Sequence, residues 1–373
     1  MTAATPGSAI STAAIFRPEG EPRRAARVEI DAAAAAENWR RVAREAVGAE
    51  TAAAVKADAY GCGADLIAPA LAQAGCRTFF VASLGEALRL RETLGRGPRI
   101  VALNGVQASE TAAVVGAEII PALNTMAQVA LWRAAAPGAP AAVHIDTGMN
   151  RLGLPLDAIA AAADALGDQK LALVMSHLAC GEDPAHPLNE RQRARFQVAQ
   201  EAFGPAQRSL AASAGAFMGD RYRYDLVRPG LALYGGDPFA APGPELLAVA
   251  RITAPILQVR DVAAGESFGY GATALAETPM RTATVAIGYA DGFLRAAAGR
   301  GYGVLAGVRM PILGRVSMDL LILDARDAPQ AEVGMLVEVL GEQARLADVA
   351  RAFDTAPYEV LTSFVGAARR GAA

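Results

Sequence analysis

Between residues 52 and 228 short apolar or β-branched runs alternate with helix-spaced stretches, and no other feature of the sequence limits the fold so strongly. The runs cover 52–56, 78–82, 99–103, 118–122, 141–146, 171–178, 208–213 and 225–228, while helical spacing marks 64–75, 85–94, 124–136, 155–166 and 188–203. Eight strands joined by seven crossovers within about 180 residues predict a (β/α)8 barrel in preference to an open doubly wound sheet. Before the first run, Asp31 is placed to cap a helix over 32–46 whose inner side carries Trp39 and Val42. Near Glu245 the rhythm changes: from Ala248 onward strands follow one another through Gly-rich turns, with helical spacing only over 347–353. That pattern predicts a C-terminal, predominantly antiparallel β-domain. The expected division is a loose tail over 1–24, in which 10–16 has strand character, an α/β barrel over 25–245 and the β-domain over 246–373. A chain of 373 residues has room for both, because single cores stop growing near about 250–300 residues.

Charge and cysteine usage exclude several function classes. With a net charge of −3, scattered arginines and no basic block to neutralise phosphates, a nucleic-acid partner is not expected. Cys62, Cys76 and Cys180 are too few and too far apart for a disulfide framework or a metal knuckle, which fits a reducing compartment. No apolar run approaches the roughly 18 residues of a membrane helix, and the N-terminal stretch has no signal-peptide core. A cytoplasmic protein without a membrane partner is expected.

Lysine is almost absent: of 35 basic residues only Lys56 and Lys170 are lysines. Lys170 lies in the polar loop GDQK, where a solvated role is expected. Lys56 ends an apolar strand, with Tyr60 four residues on. A desolvated lysine loses its proton readily and can form a Schiff base with a carbonyl. In a parallel barrel the carboxyl ends of the strands share one mouth. That mouth is expected to gather Lys56, His144, Asp146, Arg151, His177, Ser213 and Arg228. Gly215, Gly230 and Leu231 fall in the loops after strands seven and eight, where backbone N–H groups of such barrels cradle phosphate. An amine beside a phosphate cradle suggests pyridoxal phosphate. Plainer readings stand beside these: His177 as a core histidine, Arg228 as a surface arginine, Lys56 as the chance survivor of an arginine-rich bias. A metal held by His144, Asp146 and His177, with Cys180 and His186, matches no zinc spacing, and none is expected.

The segments VKADAYGCGA, IDTGMNRLG, MSHLACGED, LVRPGLALYGG, SFGYGATALA, VAIGYADGF and GRVSMDLL occur in this order, and through them nearly the whole chain resembles the alanine racemases, isomerases that use pyridoxal phosphate. The resemblance implies interconversion of L- and D-alanine, for cell-wall D-alanine or for alanine catabolism, by a homodimer with shared active sites. It implies that Lys56 carries the cofactor and serves as one base. Tyr60, Ser213, Gly230 and Leu231 would hold the phosphate, and Arg228 would face the pyridine nitrogen with His177 in the network behind it. Tyr270 would be the second base, Arg151 a contact to substrate or phenolate, and Met318 a backbone donor to the substrate carboxylate, with Ser317 and Asp319 beside it. In the family, the tyrosine and the methionine loop come from the partner subunit. Racemisation removes a proton from one face and returns one to the other, so two bases are needed. An arginine at the pyridine nitrogen would leave that nitrogen unprotonated and restrain transamination.

The chain departs from the family pattern at three places. His144 stands where many members have a lysine that becomes carbamylated and orients the arginine. Ala212 stands where asparagine is common. After Tyr358 the sequence EVLTSFVGAARRGAA lacks the usual late, phosphate-contacting tyrosine. Looser cofactor binding or a wider entrance follows as an expectation, and with it a racemase of other or several amino acids. A decarboxylase of related fold fits less well, because its motifs differ. A barrel that merely carries the cofactor would need no second base, and the β-domain with Tyr270 and Met318 argues against it.

Overall fold

The structure, a computed structural model, describes residues 26–239 and 244–372. The N-terminal tail, with its strand-like stretch over 10–16, lies outside the described residues. Seven parallel strands follow in chain order: Ala53–Ala54, Thr78–Val81, Arg99–Ala102, Ile119–Leu123, Ala141–His144, Leu171–Met175 and Gln207–Ser209. Leu226–Val227 closes the ring. It pairs in parallel with Glu50–Thr51, Ala52 N–H donates to Val227 O at 2.9 Å, and Ser209 Oγ donates to Leu226 O at 2.6 Å. Strands such as TFFV and IIPAL are buried at every position, as strands covered on both faces must be.

The helices between them start where the sequence carries caps. Asp31 accepts from Ala34 N–H at 2.9 Å to open Ala32–Glu45, and Ser83 with Glu86 forms a capping box for Leu84–Leu94. Pro187 occupies the first turn of Pro187–Ala199, where a missing N–H is harmless.

The second sheet is antiparallel and runs in the order Val308–Pro311, Tyr302–Leu305, Leu336–Leu340, Ala250–Val262, Met280–Val285, Leu321–Asp324. The long strand Ala250–Val262 is its spine, and Arg27–Ile30 pairs with its first residues, so the start of the described chain joins this sheet.

Helical structure here exceeds expectation. Besides Leu346–Phe353, the C-terminus is helical from Pro357–Glu359 through a π-helical stretch, Val360–Val365, to Gly366–Ala372. Glycines and β-branched residues mask that run in the sequence; packing stabilises it. Phe364 lies 5.5 Å from Phe293 and 5.6 Å from Phe353, ring centre to centre. The run leads back to the barrel mouth, where Arg369 pairs with Asp58. Among the described residues no helix is long and apolar enough to cross a membrane.

Candidate active site

Lys56 is not a strand end, as the sequence suggested, but the start of a left-handed turn. Ala57, Asp58, Ala59 and Tyr60 have φ of 54°, 53°, 52° and 56°. Each such L-residue costs about 1–2 kcal/mol, so four in a row need external support. Gly61 N–H donates to Ala57 O at 2.9 Å, Gly63 N–H to Asp58 O at 2.8 Å, and Ala64 N–H to Asp58 Oδ1 at 2.8 Å. The C-terminal helical run presses on the turn as well: a Cβ on Gly61 would lie 2.6 Å from Leu361 O and 2.9 Å from Gly366 N. One turn apart, Lys56 and Tyr60 face the same cavity.

That cavity, of about 640 Å³, is lined by Lys56, Tyr60, His144, Arg151, His177, Ser213, Gly215, Arg228, Gly230 and Leu231 among others. Among its described lining residues the cations are Lys56, Arg151 and Arg228, and the one carboxylate is Glu182. Burial, then the neighbouring Arg151, hold the Lys56 amine below its ordinary pKa, with Glu86 opposing and Arg228 adding to the effect. Arg228 is 7% exposed; it donates to Ser209 Oγ and to Ser176 O, each at 2.5 Å, and lies 3.4 Å from His177 Nδ1. Burial brings its pKa down to about 10, so it stays cationic at neutral pH. Burial and Arg228 hold the His177 imidazole well below its usual range, which leaves Nδ1 as an acceptor facing the guanidinium.

His144 is neutral for similar reasons, with its pKa pushed down to about 4 by burial and then by Arg228 and Arg151. Its Nδ1 lies 2.8 Å from Asn124 Oδ1, and the Asn124 amide is oriented by donating to Ala122 O at 2.7 Å and to Leu103 O at 3.0 Å. The oxygen can only accept, so His144 carries its proton on Nδ1 and keeps Nε2 as an acceptor.

The seventh strand ends at Ser209, earlier than its expected limit, and Ser213 instead opens the short helix Ser213–Phe217. Ser213 is 2% exposed, and its Oγ accepts from Gly230 N–H at 3.0 Å and Ala232 N–H at 3.2 Å. Its own O–H remains to donate. A Cβ on Gly230 would sit 2.2 Å from Tyr60 Oη, so only glycine lets the chain pass under that hydroxyl. Burial, and secondarily Tyr358, push the Tyr60 hydroxyl above its usual range and keep it a protonated donor. Its ring stacks on Tyr234 with centres 4.6 Å apart. Two hydroxyl donors, a glycine-backed chain segment and three cations suit a phosphate-bearing group whose carbonyl meets a lysine. The residues present therefore fit pyridoxal phosphate.

Tyr270, Met318 and Asp319 lie elsewhere. Tyr270 is 70% exposed on the turn Tyr270–Ala272, Met318 is 53% exposed, and Asp319 is exposed too. None of the three lines the cavity of its own chain. Met318 O accepts from Ala290 N–H at 2.9 Å, and Ser317 O from Tyr289 N–H at 3.1 Å, which fixes their loop. Two residues escaped the sequence reading. Tyr358, expected only to precede a stretch without a phosphate-side tyrosine, itself lines the cavity 6.1 Å from the Tyr60 ring. Asn124 is hidden because its partner, His144, lies on the next strand. Among the described residues no group of three or more His, Cys, Asp and Glu side chains gathers as a metal cage does.

Residues 30–238 match the family model described as alanine racemase, N-terminal domain, and residues 249–371 that of the alanine racemase C-terminal domain. The chain is 46% identical over 346 residues to the alanine racemase of Methylobacterium nodulans, which covers 91% of this chain and 93% of the relative. It is 42% identical to that of Brucella abortus, over 90% of each chain. Among solved structures, alanine racemase from Bartonella henselae with covalently bound pyridoxal phosphate superposes with a TM-score of 0.86 at 38% identity, covering 91% of this chain and 97% of that one. The biosynthetic alanine racemase of Pseudomonas aeruginosa gives 0.86 at 36% identity, with the same coverage.

Proposed function

The chain belongs to the alanine racemase family, and on that premise we propose that it is a pyridoxal phosphate-dependent racemase that interconverts L- and D-alanine through the residues assembled at its barrel mouth. The observation that carries the reading is Lys56 sharing one cavity with the Ser213–Gly230 cradle and the buried Arg228. Lys56 would hold the cofactor covalently, Tyr60, Ser213, Gly230 and Leu231 its phosphate, and Arg228 its ring nitrogen. When bound, pyridoxal phosphate supplies an electron sink for the charge left by a departing α-proton.

Lys56 Nζ moves the α-proton on one side of the substrate. Burial beside Arg151 and Arg228 raises its neutral fraction, and only the neutral amine accepts a proton. Arg228, anchored through Ser209 and Ser176, lines the cavity, and neutral His177 beside it adds no charge. The reading makes Tyr270 the base on the opposite side, with the Met318 backbone as a donor to the substrate carboxylate, Asp319 beside it and Arg151 steadying substrate or phenolate. The exposure of Tyr270 and Met318 in their own chain supports a head-to-tail homodimer as the working unit, in which each copy presents them to the other's barrel mouth. A cytoplasmic location goes with this reading.

Deuterium incorporation at Cα of L-alanine in deuterated water, read with chiral product analysis, tests the assignment. Exchange accompanied by D-alanine, both lost in Tyr270→Phe, is the expected result. Bound cofactor without exchange would overturn it.

A further inference from the structure

Glu86 does more than cap its helix. A capping box needs one carboxylate oxygen, which reaches back to the N-cap backbone. Here Oε2 fills that role, accepting from Ala82 N–H at 2.7 Å and Ser83 N–H at 3.4 Å. Oε1 is directed 29 residues away, to the N–H of Ala57 at 2.7 Å. Ala57 is the residue after Lys56 and the first left-handed one of the turn. One carboxylate thus ties the end of the second barrel strand to the start of the strained turn on the first.

We propose that Glu86 is a positioning residue for Lys56: by accepting the Ala57 amide it fixes the point where the chain turns left-handed, and so sets where the lysine amine stands in the cavity. The inference rests on Lys56 as the cofactor lysine. Only glutamate suits the place. Glutamine has a single carbonyl oxygen, so whichever amide it accepts, its NH2 confronts the other N–H, donor against donor. Aspartate is one methylene too short to serve its own helix start and the neighbouring strand together. The same carboxylate is the negative charge nearest in effect to the Lys56 amine, opposing Arg151 and Arg228.

The test compares wild type, Glu86→Gln and Ser83→Ala as full-length cofactor-free proteins. Hydrogen exchange at the amides of Ala57 to Gly61 is read first, then capture of added pyridoxal phosphate by its visible absorbance, and last the thermal midpoint. Glu86→Gln should exchange about ten-fold or more faster in this turn alone and bind the cofactor about ten-fold or more weaker. Ser83→Ala, which removes the other half of the capping box, should lower the midpoint and leave both turn exchange and cofactor capture as in wild type. Equal turn exchange in Glu86→Gln and wild type would overturn the proposal. So would a Ser83→Ala variant that matches Glu86→Gln in both readouts, because the cap alone would then explain the effect. Borohydride reduction of loaded wild type followed by peptide mass analysis separates the two layers: cofactor found on a residue other than Lys56 would sink the functional reading, while the exchange result stands by itself.

Discussion

The barrel mouth and the exposed face of the β-domain, each of which carries part of the proposed site, are built in opposite ways. At the mouth several polar groups are locked. Arg228 is held by Ser209 and Ser176, Ser213 by two backbone amides, and His144 by an asparagine that is itself fixed twice. On the β-domain the backbone of the Met318 loop is fixed, but the Tyr270 ring and the Met318 side chain stand out from the surface. A site that binds a cofactor needs preorganised donors before anything arrives. A base that another subunit supplies needs projection, not burial. On the proposed reading, cofactor binding is built into one chain, whereas proton exchange draws on two.

The largest predicted effect breaks this division of labour. Lys56→Ala should lose covalent cofactor capture. Tyr270→Phe should keep it and lose about 10²–10⁴-fold in racemisation, with little change in stability because an exposed side chain is replaced. Refolding or subunit exchange of the two inactive variants together should then recover activity. Random pairing gives one intact site in each mixed dimer, or about one quarter of the wild-type sites. Recovery measured by chiral chromatography at that level fixes the sharing of sites, and no recovery would place both bases in one chain.

Next in size is the guanidinium. Arg228→Leu leaves Ser209 Oγ and Ser176 O without their donor in a buried place, which should cost about 2–4 kcal/mol in urea unfolding and weaken cofactor capture. Arg228→Glu should shift the ratio of products toward transamination, measured as pyruvate per D-alanine formed. An unchanged ratio would count against the role given to the arginine.

What the sequence disclosed follows the same line between regular and irregular structure. Barrel strands and their crossovers were legible because apolar periodicity and a cap such as Asp31 are local. The left-handed turn was not, because none of Ala57, Asp58, Ala59 and Tyr60 is a glycine and the strain is offset by Glu86, Asp58 and a helix some three hundred residues later. Nor was the role of Tyr358, since the helical run that brings it to the cavity is stabilised by Phe293 and Phe353 rather than by its own propensities. That Lys56, Ser213, Arg228 and Gly230 line one cavity was legible from their places at or after the expected strand ends, although the first and seventh strands stop short of Lys56 and Ser213. The pairing of His144 with Asn124 crosses from one strand to the next and leaves no local mark.

That pairing gives a prediction in pH. An unfolded histidine titrates near about 6.5, whereas His144 in the fold is pushed down to about 4. As pH falls through about 6.5 the unfolded chain takes a proton that the native state refuses, so stability drops until about pH 4 and then levels. The shift bounds the loss from His144 at about 3 kcal/mol, and His177 acts with the same sign. His144→Gln should flatten the pH dependence of unfolding free energy over that window. An equally steep curve in the variant would assign the acid sensitivity to another group.

The smallest effect sharpens the comparison most, because it touches the mouth through a single methyl group. Gly230→Ala would place a Cβ 2.2 Å from Tyr60 Oη and 3.4 Å from Ala54 Cβ. The tyrosine cannot retreat freely, since its ring is stacked on Tyr234 and its backbone belongs to the strained turn. The clash must therefore pass along the turn to Lys56 or push the cradle outward, and cofactor capture should weaken by about ten-fold while the β-domain is untouched. Removing the hydroxyl as well, in Gly230→Ala with Tyr60→Phe, gives the methyl group part of its room. If crowding is the cause, Gly230→Ala weakens cofactor binding less in the Tyr60→Phe background than in wild type, because only the ring carbon, 2.9 Å from the added Cβ, is still in the way. If their effects merely add, the glycine serves some purpose other than passage beneath Tyr60.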